Sequence, residues 1–299
     1  MIAFVAASPS IDRLHQIDAL QEGAIHRPHH VVAVPGGKAL NAARAARSVG
    51  GDVHAVALLG GHAGRWVAEA LALEGVSLEH VAGPGETRMA LSVAAEGPLT
   101  EFYEPAPEID HEHWAALEAA VERIAHSARW VAISGSIPPG APADAYRRLV
   151  RVARDGGAKV ALDARGEGLS AGLDAGPDFV KVNAGEAADL GLADAHALRA
   201  AAGGGERTAA ITHGGEGMEL ATTHGQLLRA VPPVQGRFPV GSGDAALGGF
   251  LTALDVGGDW GAALALATGA AAANAEVPGA GRLDGTRAVE LARGVRVIP

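Results

Sequence analysis

Cysteine is absent from the 299 residues, which removes disulfide frameworks, thiolate zinc sites and cysteine nucleophiles together. Lysine is almost absent: Lys38, Lys159 and Lys181 are the only three, and the remaining basic charge is arginine. Positive charge as a whole is short, with Lys+Arg 24 against Asp+Glu 34 and a formal net charge of −10. Non-specific binding to nucleic acid or to an anionic membrane depends on the opposite surplus, so neither partner is expected. Any anionic ligand must then be held by a few local groups. No apolar run has membrane character, since the longest, 261–275, is mostly alanine and is interrupted by Thr268, Gly269 and Asn274. The opening MIAFVAASPSID has no basic leader and reaches Pro9 and Asp12 too early for a signal peptide. It reads as a first strand of a cytoplasmic protein. A hydrophobic fraction of 48% is too high for a disordered chain. The length suits one large α/β core, or two domains of roughly 150 residues.

Short aliphatic runs alternate with Ala/Leu/Arg-rich stretches of helical length. Strands are expected at 2–7, 53–59, 130–134, 159–163, 179–183, 208–212 and 218–221. Helices are expected at 39–49, 63–73, 111–125, 142–155, 194–202, 244–254, 260–274 and 286–293, with Pro142 in a first-turn position and Asp194 as a cap. Strand followed by helix, repeated, predicts a mostly parallel sheet covered on both faces. Two stretches break the rhythm. Residues 31–34, after the turn-like Gln21-Glu22-Gly23, and 89–103, folded about Glu96-Gly97-Pro98, read as antiparallel strands without helices between them. They predict a small sheet projecting from the core as a lid, over about 11–35 and 87–105 of a single domain spanning 1–299. Exposed lid edges would seek cover, which makes a homodimer through the lid the expected assembly.

Two glycine-rich elements carry chemistry. In VPGGKALNAARAARSVG (34–50), Gly36 and Gly37 stand just before an Ala/Arg helix, where free backbone N–H groups can receive an anion or polar ligand. In PVGSGDAALGGFLTAL (239–254), Gly241, Ser242 and Gly243 open an apolar helix and Asp244 falls in its first turn. Capping alone is a thin account of three small residues placed directly before that carboxylate. They would let N–H groups close around a phosphoryl group while Asp244 points at an incoming hydroxyl. The P-loop, the dinucleotide fingerprint and the serine-hydrolase elbow are all missing. His29-His30 and His111-Glu112-His113 lack metal-site spacing and read as surface histidines.

These two elements, in this order and about two hundred residues apart, resemble the two signatures of the phosphofructokinase B family of carbohydrate kinases, within the ribokinase superfamily. The resemblance runs along the chain through SPSID (8–12), GAIHR (23–27), ETRMAL (86–91), TEFYEPAPEI (100–109), ISGSIPPG (133–140), LDARGEGL (162–169), KVNAGEAADLG (181–191), ITHGGEG (211–217) and NAEVPGAGR (274–282). It is nearest to the sugar-phosphate branch, which contains 1-phosphofructokinase, tagatose-6-phosphate kinase and the minor 6-phosphofructokinase. It implies a ribokinase-like three-layer α/β fold with a small β-sheet lid, and ATP and Mg²⁺ as cofactors. Asp244 would be the general base, with Gly241, Ser242 and Gly243 as the anion hole. Asn183 and Glu186 would orient Mg²⁺ through its water shell.

On the sugar side the resemblance implies Asp12, Gly36, Gly37 and Asn41 at the hydroxyls and Arg27 and Arg88 near the substrate phosphate, and Lys38, inside the first signature, is expected to face the substrate. On the nucleotide side it implies Lys181, Asn183, Thr212, Gly214, Gly217 and Asn274. The chain departs from the family pattern at Phe238, Val182, Ala90 and His26, the last two on the sugar side. The expected activity is conversion of fructose 1-phosphate to fructose 1,6-bisphosphate. Tagatose 6-phosphate or fructose 6-phosphate is the nearest alternative, followed by an unphosphorylated sugar or nucleoside, and then by a non-catalytic sugar- or nucleotide-binding regulator.

Overall fold

The computed structural model describes residues 1–97 and 99–299, with only the backbone at Glu167; Pro98, assigned to the hairpin turn, lies outside the described residues. The strands are β1 (Ile2–Ala6), β2 (Ser10–Gln16), β3 (His30–Gly36), β4 (Val53–Leu59), β5 (Ser77–Ala82), β6 (Met89–Ala94), β7 (Thr100–Tyr103), β8 (Trp130–Ser134), β9 (Lys159–Asp163), β10 (Phe179–Asn183), β11 (Thr208–Thr212), β12 (Met218–Ala221), β13 (Leu227–Val231) and β14 (Arg296–Ile298). The helices are α1 (Lys38–Ser48), α2 (Gly61–Leu73), α3 (His111–Ala125), α4 (Ala145–Asp155), α5 (Gly166–Leu173), α6 (Ala184–Asp189), α7 (Ala195–Ala201), α8 (Ser242–Asp255), α9 (Trp260–Glu276) and α10 (Gly285–Gly294).

Ten strands form the main sheet in the order β14-β13-β12-β11-β10-β9-β8-β1-β4-β5, and four form a second sheet in the order β3-β2-β6-β7. From β5 across to β11 the main sheet is parallel, and β12 to β14 continue it antiparallel. The central strands carry apolar residues on both faces because helices cover both. Alternation along β1 shows the division: Ile2, Phe4 and Ala6 join Leu40, Leu247 and Phe250 on one side. Ala3 and Val5 join Trp114, Leu149 and Leu162 on the other. Three layers result, helix on sheet on helix, as the alternation of elements predicts.

Small residues let α1 and α8 approach closely. A Cβ on Gly248 would lie 2.4 Å from the Ala42 carbonyl oxygen. Residues 39–46 of α1 are buried throughout. Neither helix therefore shows a polar face where they meet, and Asn41 and Asp244 are carried to the same place.

Local details differ from the sequence reading. The helix expected from Pro142 begins at Ala145, with Asp144 at the N-cap, and Pro142 accepts the Ala145 N–H in the turn before it. The second sheet is mixed, because β2 runs parallel to β6 while the pairs β2/β3 and β6/β7 are antiparallel. β2 reaches β6 through β3, α1, β4, α2 and β5, a connection long enough for a parallel pairing. β5, β13, β14, α5 and α6 are additional elements. The α5 sequence GEGLSAGL is too glycine-rich to announce a helix. No helix among the described residues is long and apolar enough to cross a membrane.

Candidate active site

A cavity of about 950 Å³ lies between the second sheet and the carboxyl ends of the parallel strands, where open α/β sheets place their ligands. β9 ends in Asp163, β10 in Lys181 and Asn183, β11 in Thr212, and α8 starts at the cavity floor with Gly241 as its N-cap.

Gly241 has φ +83°, and a Cβ there would sit 2.5 Å from the Gly281 nitrogen, so both conformation and space demand glycine. The Ser242 N–H donates to the Pro239 carbonyl at 3.1 Å. Gly243 lies against Lys181, whose Nζ would be 3.5 Å from a Cβ at that position. Asn274 is fully buried behind this loop, and its Nδ2 donates to the Val240 carbonyl at 2.9 Å and the Ser242 hydroxyl at 3.2 Å. It braces the loop and does not border the cavity.

Asp244 is buried at the start of α8, where its Oδ2 accepts the Asn41 amide at 3.0 Å. Burial, reinforced by the Asp163 charge and opposed by Lys38, Lys181 and the Asn41 hydrogen bond, pushes its carboxyl up to about 7. The same Asn41 Nδ2 lies 3.2 Å from Asp12 Oδ2, and Ser10 donates to Asp12 Oδ1 at 2.6 Å. Gly36 is not a lining residue; a Cβ there would fall 2.0 Å from the Asp12 Cγ, so its role is to admit that carboxylate. Gly37 N–H also points to Asp12, at 3.4 Å.

Lys38 and Lys181 converge on Asp163, at 3.1 and 2.9 Å, and Lys38 also meets Glu186 at 3.0 Å. Desolvation works against the Lys38 ammonium, but the Asp163, Asp244 and Glu186 carboxylates outweigh it and hold its pKa above the ordinary lysine range. Asp163 is fully buried; desolvation would raise its carboxyl, yet Lys181 and Lys38 hold it below the usual range. Asp163 was not singled out by the sequence reading. Its signal was there: an acidic residue ending the apolar strand KVALD must meet cations to be buried.

Asn183 and Glu186 cap each other at the start of α6, through Glu186 N–H to Asn183 Oδ1 at 2.8 Å and Asn183 N–H to Glu186 Oε2 at 2.9 Å. Among the described residues no group of three or more His, Cys, Asp or Glu could hold a metal. Two hard oxygen side chains at the cavity edge, each already accepting a hydrogen bond, fit an ion that keeps most of its water and not a protein cage. Thr212, Gly214 and Gly217 line the far end of the cavity. At Gly217, with φ +104°, a Cβ would be 1.9 Å from the Ala230 carbonyl oxygen.

Arg88 borders the cavity and donates to the Ser8 hydroxyl and carbonyl, both at 3.3 Å. Arg27 is exposed and is not among the cavity residues. Arg165, which lies in the segment LDARGEGL and has no role assigned from the sequence, does border the cavity. Beside it, the buried Tyr146 donates its hydroxyl to the Gly135 carbonyl and holds that loop.

A family model described as pfkB family carbohydrate kinase matches residues 5–286, and the chain belongs to that family. Among solved structures, Escherichia coli phosphofructokinase-2 in complex with fructose-6-phosphate is 25% identical, with 98% of each chain covered and a TM-score of 0.87. The tetrameric inhibited form of the same enzyme matches with the same identity, coverage and TM-score. A Thermotoga maritima protein described as a possible 1-phosphofructokinase is 20% identical over 100% of this chain and 99% of its own, with a TM-score of 0.87, and shares the fold.

Proposed function

We propose that this pfkB family carbohydrate kinase transfers the γ-phosphoryl group of ATP to a hydroxyl of a phosphorylated ketohexose in the cytoplasm, with fructose 1-phosphate the first substrate to test. The observation that carries the reading is Asp244. It is a buried carboxyl at a helix N-terminus, held by Asn41, with an affinity for protons near neutrality. A base of that strength can accept a hydroxyl proton and still be ionised at working pH.

Asn41 is shared between Asp12 and Asp244. A sugar whose hydroxyl bonds to Asp12 is thereby aligned with its neighbouring hydroxyl toward the base, which supplies orientation. The Ser242 N–H is engaged with Pro239. The amides of Gly241 and Gly243, at the positive end of the α8 dipole, are left to receive charge developing on the transferred group. Lys181, paired with Asp163, presents an ammonium beside Gly243, and Lys38, paired with Asp163 and Glu186, continues that cationic edge. Asn183 and Glu186 would hold water of a Mg²⁺ ion, which when bound neutralises the phosphate oxygens. Thr212, Gly214 and Gly217 offer close backbone approach for the nucleoside. The second sheet acts as the lid, carrying Asp12 directly and Arg88 at the entry of β6.

Fructose 6-phosphate is the second reading, favoured by the E. coli neighbour bound to that sugar. A coupled ADP-release assay with ATP and Mg²⁺ separates them across fructose 1-phosphate, fructose 6-phosphate, tagatose 6-phosphate, fructose, ribose and adenosine. Turnover on a phosphorylated ketose supports the proposal. Turnover only on unphosphorylated substrates overturns the sugar assignment, and no turnover at all favours a binding regulator.

A further inference from the structure

On the reading that the substrate carries a phosphate, we propose that Arg165 is a specificity-determining residue which grips that phosphate together with Arg88. The two guanidinium groups come from different parts of the fold. Arg88 immediately precedes β6 of the second sheet. Arg165 follows β9 of the main sheet by two residues and occupies the N-cap position of α5, where its side chain makes no capping hydrogen bond. Both border the cavity, on the side of Ser8, Asp12 and Gly135.

The commitments of the neighbouring charges single this pair out. Lys38 and Lys181 are bound to Asp163 and Glu186. Glu101 accepts the Ser92 and Tyr103 hydroxyls, and Glu104 accepts the Met89 N–H at 2.7 Å. Arg13 also borders the cavity, with its Nε buried and unpartnered, but it is Arg165 whose charge acts on Arg88. Arg88 donates its side-chain hydrogen bonds to the neutral Ser8, and among the described residues neither Arg88 nor Arg165 is in an ion pair. The two are close enough to feel each other: burial presses Arg88 below its usual affinity for a proton, Asp12, Tyr103 and Glu104 oppose this, and the Arg165 charge adds to it.

Like charges facing one partly desolvated space raise each other's energy, and a dianion between them relieves both. The planar fork of arginine matches phosphate oxygens, two at a time. A phosphate bridging Arg88 and Arg165 would also tie the second sheet to the carboxyl end of the central strand β9 of the main one. An unphosphorylated sugar cannot make that tie, so the pair selects for the phosphorylated substrate. The companion expected for Arg88 was Arg27, which lies outside the cavity.

The test compares wild type, Arg165→Ala and Arg165→Lys in the full chain. KM for the sugar phosphate, KM for ATP, turnover of unphosphorylated fructose, and competitive inhibition by inorganic phosphate are each measured. Arg165→Ala should raise KM for the sugar phosphate about tenfold or more, the value of a lost charge-assisted contact. Inhibition by inorganic phosphate should weaken by a similar factor, with KM for ATP and fructose turnover unchanged; Arg165→Lys should recover part of the loss. Because the side chain is exposed at a helix start, the melting temperature should stay at the wild-type value. An unchanged KM for the sugar phosphate, or equal rises for sugar phosphate and ATP, overturns the inference while leaving the kinase assignment intact. If wild type turns over no sugar phosphate, the proposed substrate class falls and the role of Arg165 falls with it.

Discussion

Replacing Asp244 by asparagine gives two independent readouts of one carboxyl. Asparagine keeps the size of a buried side chain whose Oδ2 accepts the Asn41 amide at 3.0 Å, and it cannot take a proton. Loss of a general base lowers kcat by ~10² to 10⁴, which is about 3 to 5 kcal/mol of barrier. Wild-type kcat/KM should also fall as pH drops below about 7, where the carboxyl becomes protonated. Stability moves in the opposite sense. The folded carboxyl titrates near 7 against an ordinary 3.8, so between about pH 4 and pH 7 the folded protein holds a proton that the unfolded chain has released. Stability associated with that proton is complete below the lower value and is lost as pH rises through the window. At about 1.4 kcal/mol per pH unit, the whole displacement is on the order of 4 kcal/mol. The variant never ionises. Its stability should therefore match wild type near pH 4 and exceed it by a few kcal/mol at pH 8. The assay is ADP release across pH for activity and urea midpoints across pH for stability. A variant with kcat within tenfold of wild type refutes the base; a midpoint difference that does not grow with pH refutes the buried-carboxyl argument.

Arg88→Ala should raise KM for a sugar phosphate about tenfold or more with little change in KM for ATP, and equal rises would make Arg88 a structural residue. Asp163→Asn removes the carboxylate shared by Lys38 and Lys181. Breaking a buried ion group of this kind costs about 3 to 5 kcal/mol, visible as a lower melting temperature. The acid limb of the pH profile should also move downward, because a negative charge that holds Asp244 up is gone; a limb that stays in place would mean that Asp163 does not act on the base. Met89 and Phe102 are exposed on the second sheet, and cover of these residues by a second copy predicts a light-scattering mass twice that of the chain. A strictly monomeric mass at micromolar concentration would remove that assembly.

The central parallel strands were legible because each is a short apolar run buried on both faces, and the helices because Ala/Leu/Arg-rich stretches of helical length stand between such runs and Asp194 caps as read; β5, a largely exposed strand at the sheet edge, carried no such signal. α5 was not legible, since a helix spelled GEGLSAGL is held by its packing and not by its propensity. Within the site, the loop 241–243 and Asp244 could be read because all of their elements are adjacent in the chain. Asp163 was overlooked because an aspartate at a strand end looks like the start of a turn until the cations that neutralise it are seen.

Local order along the chain carries the class of the protein and its inventory: a parallel α/β core, a glycine-opened helix bearing Asp244, a second glycine turn, and a shortage of positive charge that forces any anion onto a few residues. Which of those residues become neighbours depends on how the elements pack. Asn41 and Asp244 meet across a separation of 203 residues, and Lys38 reaches Asp163 across 125. Such pairings leave no local trace, because they depend on how closely α1 packs on α8 and on which strands lie side by side. The same packing left Arg27 outside the cavity and brought Arg165 to its wall. A residue type can be read along the chain, whereas a neighbour exists only after the chain has closed on itself.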